Sequence, residues 1–311
     1  MQDLLLSRRS LLAAGTLLFA GPAGARPKQK VAIFSKHLQF LQGEELAQGA
    51  ADLGFDAVDL ALRRGGHVEP ATVARDLPPL VAAIRKHGLE VSMITTDIVD
   101  ADTANAEEVL KTASALGIHH YRFGGFRWAA NQPLEAQMDG FRPRLAKLAA
   151  LNQRLGMAAM YHTHSGPGLV GASIWDLYLL MRDLDPKWMG INYDIGHATV
   201  EGGSGGWIAS WRIAAKHARG IAVKDFLWEK NAAGVWNDNF KPIGDGMVKL
   251  GQFFGMVAAS DFDGPLQIHY EYPLGGANNG ATKLTMPKDE VFAAMKKDLG
   301  KVRGLLAQAG L

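Results

Sequence analysis

Cysteine is absent from the chain. No disulfide can brace the fold and no thiolate can hold a metal, so stability rests on a large core and any ion must be held by His, Asp, Glu or water. Excess charge is missing too: 33 basic and 31 acidic residues leave a formal +2. Such a balance gives no electrostatic footprint for nucleic acid and removes that class of partner. No linker and no short repeat interrupt the chain beyond residue 31, so residues 26–311 read as one domain. The glycine-rich dinucleotide fingerprint is also missing, since "FSKHLQFLQGEE" after the first apolar run offers only Gly43.

What is present starts with the first thirty residues. Twin arginines Arg8 and Arg9, an apolar stretch Leu11–Ala20 and the small-residue run "AGA" read as a twin-arginine export signal over residues 1–25, cleaved after Ala25. The stretch is too short to span a bilayer, so no stable membrane insertion is expected once it is removed. A Sec signal or a retained anchor is the competing reading. Asp3, Arg8 and Arg9 account for +1 of the formal +2, so the remaining chain carries about +1. The mature protein is expected in the periplasm or otherwise outside the cytoplasm.

Beyond residue 30 the sequence alternates. Eight short β-rich runs ("VAIFS", "DAVDLAL", "VSMITT", "HYRFG", "MAAMYHTH", "GINYDI", "GIAVKDF", "PLQIHYEY") are each followed by a segment of helical periodicity, from "EELAQGAADLG" to "KDEVFAAMKKDLGKVRGLLAQAG". Gly54, Gly88, Gly117 and Gly156 fall where left-handed helix caps belong. Eight βα units in this order and length predict an α/β fold, a single-domain (β/α)8 TIM barrel, with a doubly wound open sheet as runner-up.

In a barrel of this kind the functional face is the one where strands end, and histidines collect there. His37, His67, His162, His164, His197 and His269 all lie at strand ends or in the loops just after them. His162 and His164 in "MYHTHSG", and His269 and Glu271 in "QIHYEY", are two residues apart, so each pair projects to one side of an extended strand. With Asp194 ending the sixth strand and His197 following, these donors can enclose a divalent ion; paired core histidines are the bland alternative. Lys224 shares its side of a buried strand with Ala222. It either stabilises a developing enolate oxygen or pairs structurally with Asp59 or Glu271, because an unpaired buried ammonium is costly. Asp225 is expected to orient a loop or a neighbouring histidine.

His67 behind two glycines in "RRGGHVEP" is a substrate contact or an exposed turn residue, and Arg122 in "YRFGGFRW" an anion or hydroxyl anchor or a salt bridge inside the barrel. Trp128, Trp228 and Trp236 fall in loops after the fourth and seventh strands, where aromatic faces either stack on a sugar ring or roof the barrel.

Together, "FSKHLQF", "GFDAVDLALRRGGHVEP", "MITTDI", "YHTHSG", "YDIGHATVEGG", "VKDF", "IGDGMV" and "GPLQIHYEYPLGGANNG" resemble the xylose isomerase-like barrel superfamily, the sugar phosphate isomerase/epimerase group, over nearly all of residues 31–311. The resemblance implies a divalent ion (Mn, Co, Zn or Mg) held by a Glu ending a middle strand, an Asp in a D-x-x-H motif, a His ahead of a K-D pair, and a Glu on the last strand. Asp194 and His197 match the D-x-x-H motif, and Glu271 or His269 the last position. Two departures stand out: His162 replaces the middle-strand Glu, and Ala222 the His before Lys224 and Asp225.

Carried over, the resemblance places His162, Asp194, His197 and Glu271 on the ion. It makes Glu271 the base and Lys224 or His164 the oxyanion donor, while His67, Arg122, His269, Trp128 and Trp228 are the candidate substrate contacts. The implied activity is isomerisation or epimerisation of a keto-sugar through an enediolate, the carbohydrate being the only partner named and a homo-oligomer left open. A 3-keto-glycoside lyase or hydrolase using the same enolisation, and a metal-free carbohydrate-binding barrel, are the alternatives. The three-zinc apurinic endonucleases of the superfamily are excluded, because their proline-histidine segment is here "FKPIGDG".

Overall fold

The computed structural model describes residues 28–311. The segment expected to be an export signal, residues 1–25, lies outside the described residues. Eight parallel strands close into a barrel: β1 (Val31–Phe34), β2 (Ala57–Ala61), β3 (Glu90–Thr95), β4 (His120–Phe123), β5 (Ala158–His162), β6 (Met189–Asp194), β7 (Ala218–Val223) and, as eighth stave, β10 (Leu266–Ile268). β10 pairs with β1 in the register Val31↔Leu266, and that pairing shuts the cylinder and excludes the open doubly wound sheet. Between the seventh and eighth staves, β8 (Asp225–Lys230) and β9 (Trp236–Lys241) form a separate antiparallel hairpin.

The staves are buried on both sides because helices sheathe them. α2 (Val73–Lys86) turns Val73, Leu77, Leu80, Val81 and Ile84 inward at helical spacing, and α9 (Lys288–Ala309) does the same with Val291, Met295, Leu299, Val302 and Leu306. α1 (Gly43–Leu53), α3 (Ala106–Ala115), α4 (Leu134–Leu155) and α5 (Ile174–Met181) complete the first half of the sheath, with α6 (Ile195–Gly202), α7 (Gly206–Ala214) and α8 (Leu250–Ala258) following β6 and the hairpin. Gly54 and Gly156 close α1 and α4 in the left-handed conformation, with φ of 89° and 67°. Among the described residues, no helix is long and apolar enough to cross a membrane.

Several strands stop earlier than their apolar patterns predict. β5 ends at His162, so His164 lies in the following loop, and β10 ends at Ile268, leaving His269 and Glu271 just beyond it. "GIAVKDF" is split: β7 ends at Val223, and Asp225 opens the hairpin. "IGHATVEG", after the sixth strand, forms helix α6 because Asp194 caps it: its Oδ1 accepts from the His197 backbone N–H at 3.0 Å.

Candidate active site at the mouth of the barrel

The cluster at the strand ends is organised by one buried cation. Lys224, 1% exposed, places Nζ 3.1 Å from Asp194 Oδ2 and 3.0 Å from Glu271 Oε1, and donates to His197 Nε2. Phe240 of the hairpin covers it, ring centroid 5.0 Å from Nζ. The two carboxylates neutralise an ammonium that burial would otherwise penalise, so the pairing with Glu271 occurs and the one with Asp59 does not. Asp59 instead accepts from Thr95 Oγ1 at 2.9 and 3.0 Å.

Three imidazoles ring Asp194. His162 Nε2 lies 3.7 Å, His269 Nδ1 3.8 Å and His197 Nε2 4.0 Å from Asp194 Oδ2. Burial first, then the neighbouring cations, holds all three rings far below the ordinary histidine range, so they are neutral at pH 7. Burial pushes Asp194 up to about 6 against the pull of Lys224. Burial acts the same way on Glu271, but Lys224 and Lys36 outweigh it and hold that carboxyl down at about 2.

Among the described residues, one trio of His, Asp and Glu side chains brings its ligand atoms within 4.8 Å of one another: His162, Asp194 and His269. The donor set suits a borderline divalent ion, and Asp194 Oδ2 has no aligned hydrogen bond. This is not the foursome expected from the sequence. His197 is engaged on both nitrogens, by Ser165 Oγ at 2.7 Å and by Lys224, while Glu271 is held by Lys224. His269 supplies an imidazole beside the stave position where Ala222 has none, Gln267 being the register partner of Ala222.

Beneath His162 runs an amide chain that the sequence reading missed. Asn192 Nδ2 donates to His162 Nδ1 at 3.3 Å, and Asn192 Oδ1 accepts from Gln267 Nε2 at 3.0 Å. Inward parity was the available signal, since Asn192 and Gln267 stand two residues before Asp194 and His269. For His162 Nε2 to ligate an ion, its proton must sit on Nδ1, and both amides must turn over to accept it.

The other sequence candidates divide. Arg122 lines a cavity of about 430 Å³ together with His162, His164 and Arg63. His164 stacks over His197 with ring centroids 3.7 Å apart and donates from Nδ1 to the Ser165 carbonyl, which leaves Nε2 as an acceptor. Trp228, on the hairpin, lines a second cavity with Glu271 and His197. His67 is turned away from this cluster, its Nε2 bonded to the Leu41 carbonyl at 3.2 Å. Trp128 packs on Phe141 and bonds Asp176, roofing a neighbouring loop. His37 ties strand ends together, bonding the Ala277 carbonyl and the Tyr270 N–H. Asp225 gathers four backbone N–H groups, from Phe226, Gly244, Gly246 and Val248, and so fixes the loop that returns from the hairpin.

Residues 47–287 match the xylose isomerase-like TIM barrel family. The chain belongs to that family. An inosose dehydratase of Bacillus cereus (strain AH820) is 28% identical over 158 residues, 48% of this chain and 52% of that protein, so the chain spans about half the length of the curated relatives it matches. An L-ribulose 3-epimerase structure superposes with a TM-score of 0.65 at 15% identity, covering 90% of this chain and 95% of the other. A xylose isomerase-like barrel of Mycobacterium smegmatis in complex with magnesium superposes at 0.64 with 14% identity, covering 91% and 98%. At these identities the superpositions establish the shared fold.

Proposed function

We propose that this barrel is an enzyme that enolises a keto-sugar or sugar derivative, working as an isomerase or epimerase. The observation that carries this reading is the Lys224–Glu271 pair at 3.0 Å on the barrel rim, a proton acceptor and an oxyanion donor side by side. A base held at about 2 accepts protons poorly. A substrate carbonyl oxygen that takes a hydrogen bond from Lys224 draws the ammonium off Glu271, which raises that carboxylate toward a useful basicity. Glu271 then removes the proton from the carbon next to the carbonyl, the C–H electron pair moves onto the oxygen, and Lys224 stabilises the resulting enediolate. One donor placed where charge develops contributes about 3 kcal/mol. A solvent proton delivered to the other face gives the epimer, and Glu271 releases its own proton to solvent, which restores the starting state.

His162, Asp194 and His269 would hold a divalent ion, Mn, Co, Zn or Mg, by the fit described above. When bound there, the ion supplies Lewis-acid polarisation of the carbonyl. Arg122, which lines the cavity with His162, orients a hydroxyl.

A lyase is the second reading, because the same enediolate expels a group from the β-carbon and the curated relatives are named dehydratases. A metal-free binding barrel is the third, favoured by Ala222 and by the ammonium seated between Asp194 and Glu271. Incubation with keto-sugars and 3-keto-glycosides in deuterated water tests enolisation: C–H exchange followed by NMR supports it, and its absence with every substrate supports the binder. We further propose export by the twin-arginine route to the periplasm. The N-terminal mass of protein recovered from that compartment checks this, with cleavage after Ala25 as the supporting result.

A further inference from the structure

Among the described residues, the connection from β7 to α8 is the crossover that carries a sheet of its own. Its strands pair in the register Phe226↔Phe240, Trp228↔Asp238 and Lys230↔Trp236. Directly paired residues share a face, and side chains two apart along a strand share it as well, so these six side chains form one surface. The surface begins at the reaction centre, where the Phe240 ring lies 6.0 Å from the His197 ring and 5.0 Å from Lys224 Nζ. It then runs outward through Trp228, 38% exposed, to Trp236, 61% exposed. Beside it lies a cavity of about 650 Å³ whose walls include Glu271, His197 and His164 at one end and Trp228, Asp238 and Glu201 as well.

We propose that this cavity is the subsite for a second ring, with Trp228 as its stacking platform, and that the substrate is a disaccharide or comparable glycoside. The proposal rests on the enolisation reading of the adjoining site. Two residues of strand advance about 7 Å, so the Trp228–Asp238 pair stands roughly one sugar unit beyond Phe240 and the Lys224–Glu271 pair. A pyranose has an apolar C–H face and a rim of hydroxyls. It is matched by an indole face beside carboxylate acceptors, here Trp228 with Asp238 and Glu201. Trp228 is chosen over Trp236 because the Lys230 ammonium already sits 5.4 Å from the Trp236 ring, whereas Trp228 meets its aromatic neighbour Phe226 edge-on at 6.0 Å. The platform is fixed in place, Phe226 being fully buried and Asp225 binding the returning loop.

Isothermal titration and saturation-transfer NMR with glucose, cellobiose, maltose and trehalose test the subsite without reference to turnover. At least one disaccharide is expected to bind about tenfold more tightly than glucose, with saturation reaching protons of both rings. W228A is expected to abolish that preference, and W228F, which keeps an aromatic face, to retain most of it. No disaccharide binding more tightly than glucose, or a W228A protein that keeps the preference, overturns the subsite. Binding with these properties but without C–H exchange removes the enolisation reading and leaves the subsite standing. Exchange confined to free keto-monosaccharides and unaltered in W228A does the reverse.

Discussion

Lys224 Nζ and Glu271 Oε1 stand 3.0 Å apart just past the ends of neighbouring staves, and the same ammonium reaches Asp194 Oδ2 at 3.1 Å. One cation thus joins two carboxylates from separate strand ends. Its chemistry and its contribution to stability are inseparable, and the first expectation concerns both.

K224M leaves buried Asp194 and part-exposed Glu271 without the ammonium that bridges them. Burial raises the Glu271 carboxyl and Lys224 and Lys36 together hold it at about 2; with Lys224 gone, Lys36 alone opposes burial and the value rises. A carboxyl depressed in the folded state stabilises the protein above the ordinary carboxylate range and loses that contribution as pH falls toward 2; removing the ammonium removes the contribution. The variant is expected to lose about 3 kcal/mol of stability at pH 7 in urea titrations and about 10² in kcat/KM. The acid limb of its pH–rate profile is expected to move upward by more than one unit.

D194A deletes the central member of the His162–Asp194–His269 trio. Protein purified without chelator is expected to carry about one equivalent of divalent metal by elemental analysis, and D194A close to none. Unchanged occupancy in the variant takes Asp194 out of the ion site.

Asp59 gives a pH signature independent of the trio. Burial pushes it up to about 7, opposed by the Thr95 hydroxyl and by Arg122 and Arg63. Between the ordinary carboxylate value and about 7 the folded state therefore binds more protons than the unfolded one, so this group lowers stability as pH rises through that window. D59N, an amide that still accepts from Thr95, is expected to flatten the slope and to be relatively more stable at pH 8 than at pH 5. Denaturation midpoints at the two pH values check it.

Asp225 accepts four backbone N–H bonds, and D225A would leave those of Phe226 and Val248 buried without this partner. A loss of about 3 kcal/mol is expected, with faster hydrogen exchange in residues 243–248.

Much of this was legible in the sequence for definite reasons. Hydrophobic periodicity and glycine caps identify eight βα units, since burial on both faces leaves a parallel stave apolar and a sheathing helix striped. Parity placed His162, Asp194, Lys224, His269 and Glu271 on one side of their strands, and these five do meet. Partnership was less readable. That Lys224 binds Asp194 and Glu271 rather than Asp59 depends on which staves are neighbours, and His197 is drawn into the same contacts because Asp194 caps α6. The hairpin was hidden because no Gly or Pro separates the β7 run from "DFLWEK", so "GIAVKDF" reads as one strand. His67 lies six residues beyond the end of β2, farther out than His162, Asp194 or His269 from theirs, and is bonded to the Leu41 carbonyl.

The most direct measurement is solvent deuterium incorporation into keto-sugars and 3-keto-glycosides by the wild-type protein and by E271Q, which keeps the size of the side chain and removes the base. Exchange at the carbon next to the carbonyl, reduced by about 10² or more in E271Q, is the expected result. Exchange that E271Q leaves untouched, or no exchange with any of these sugars, contradicts it.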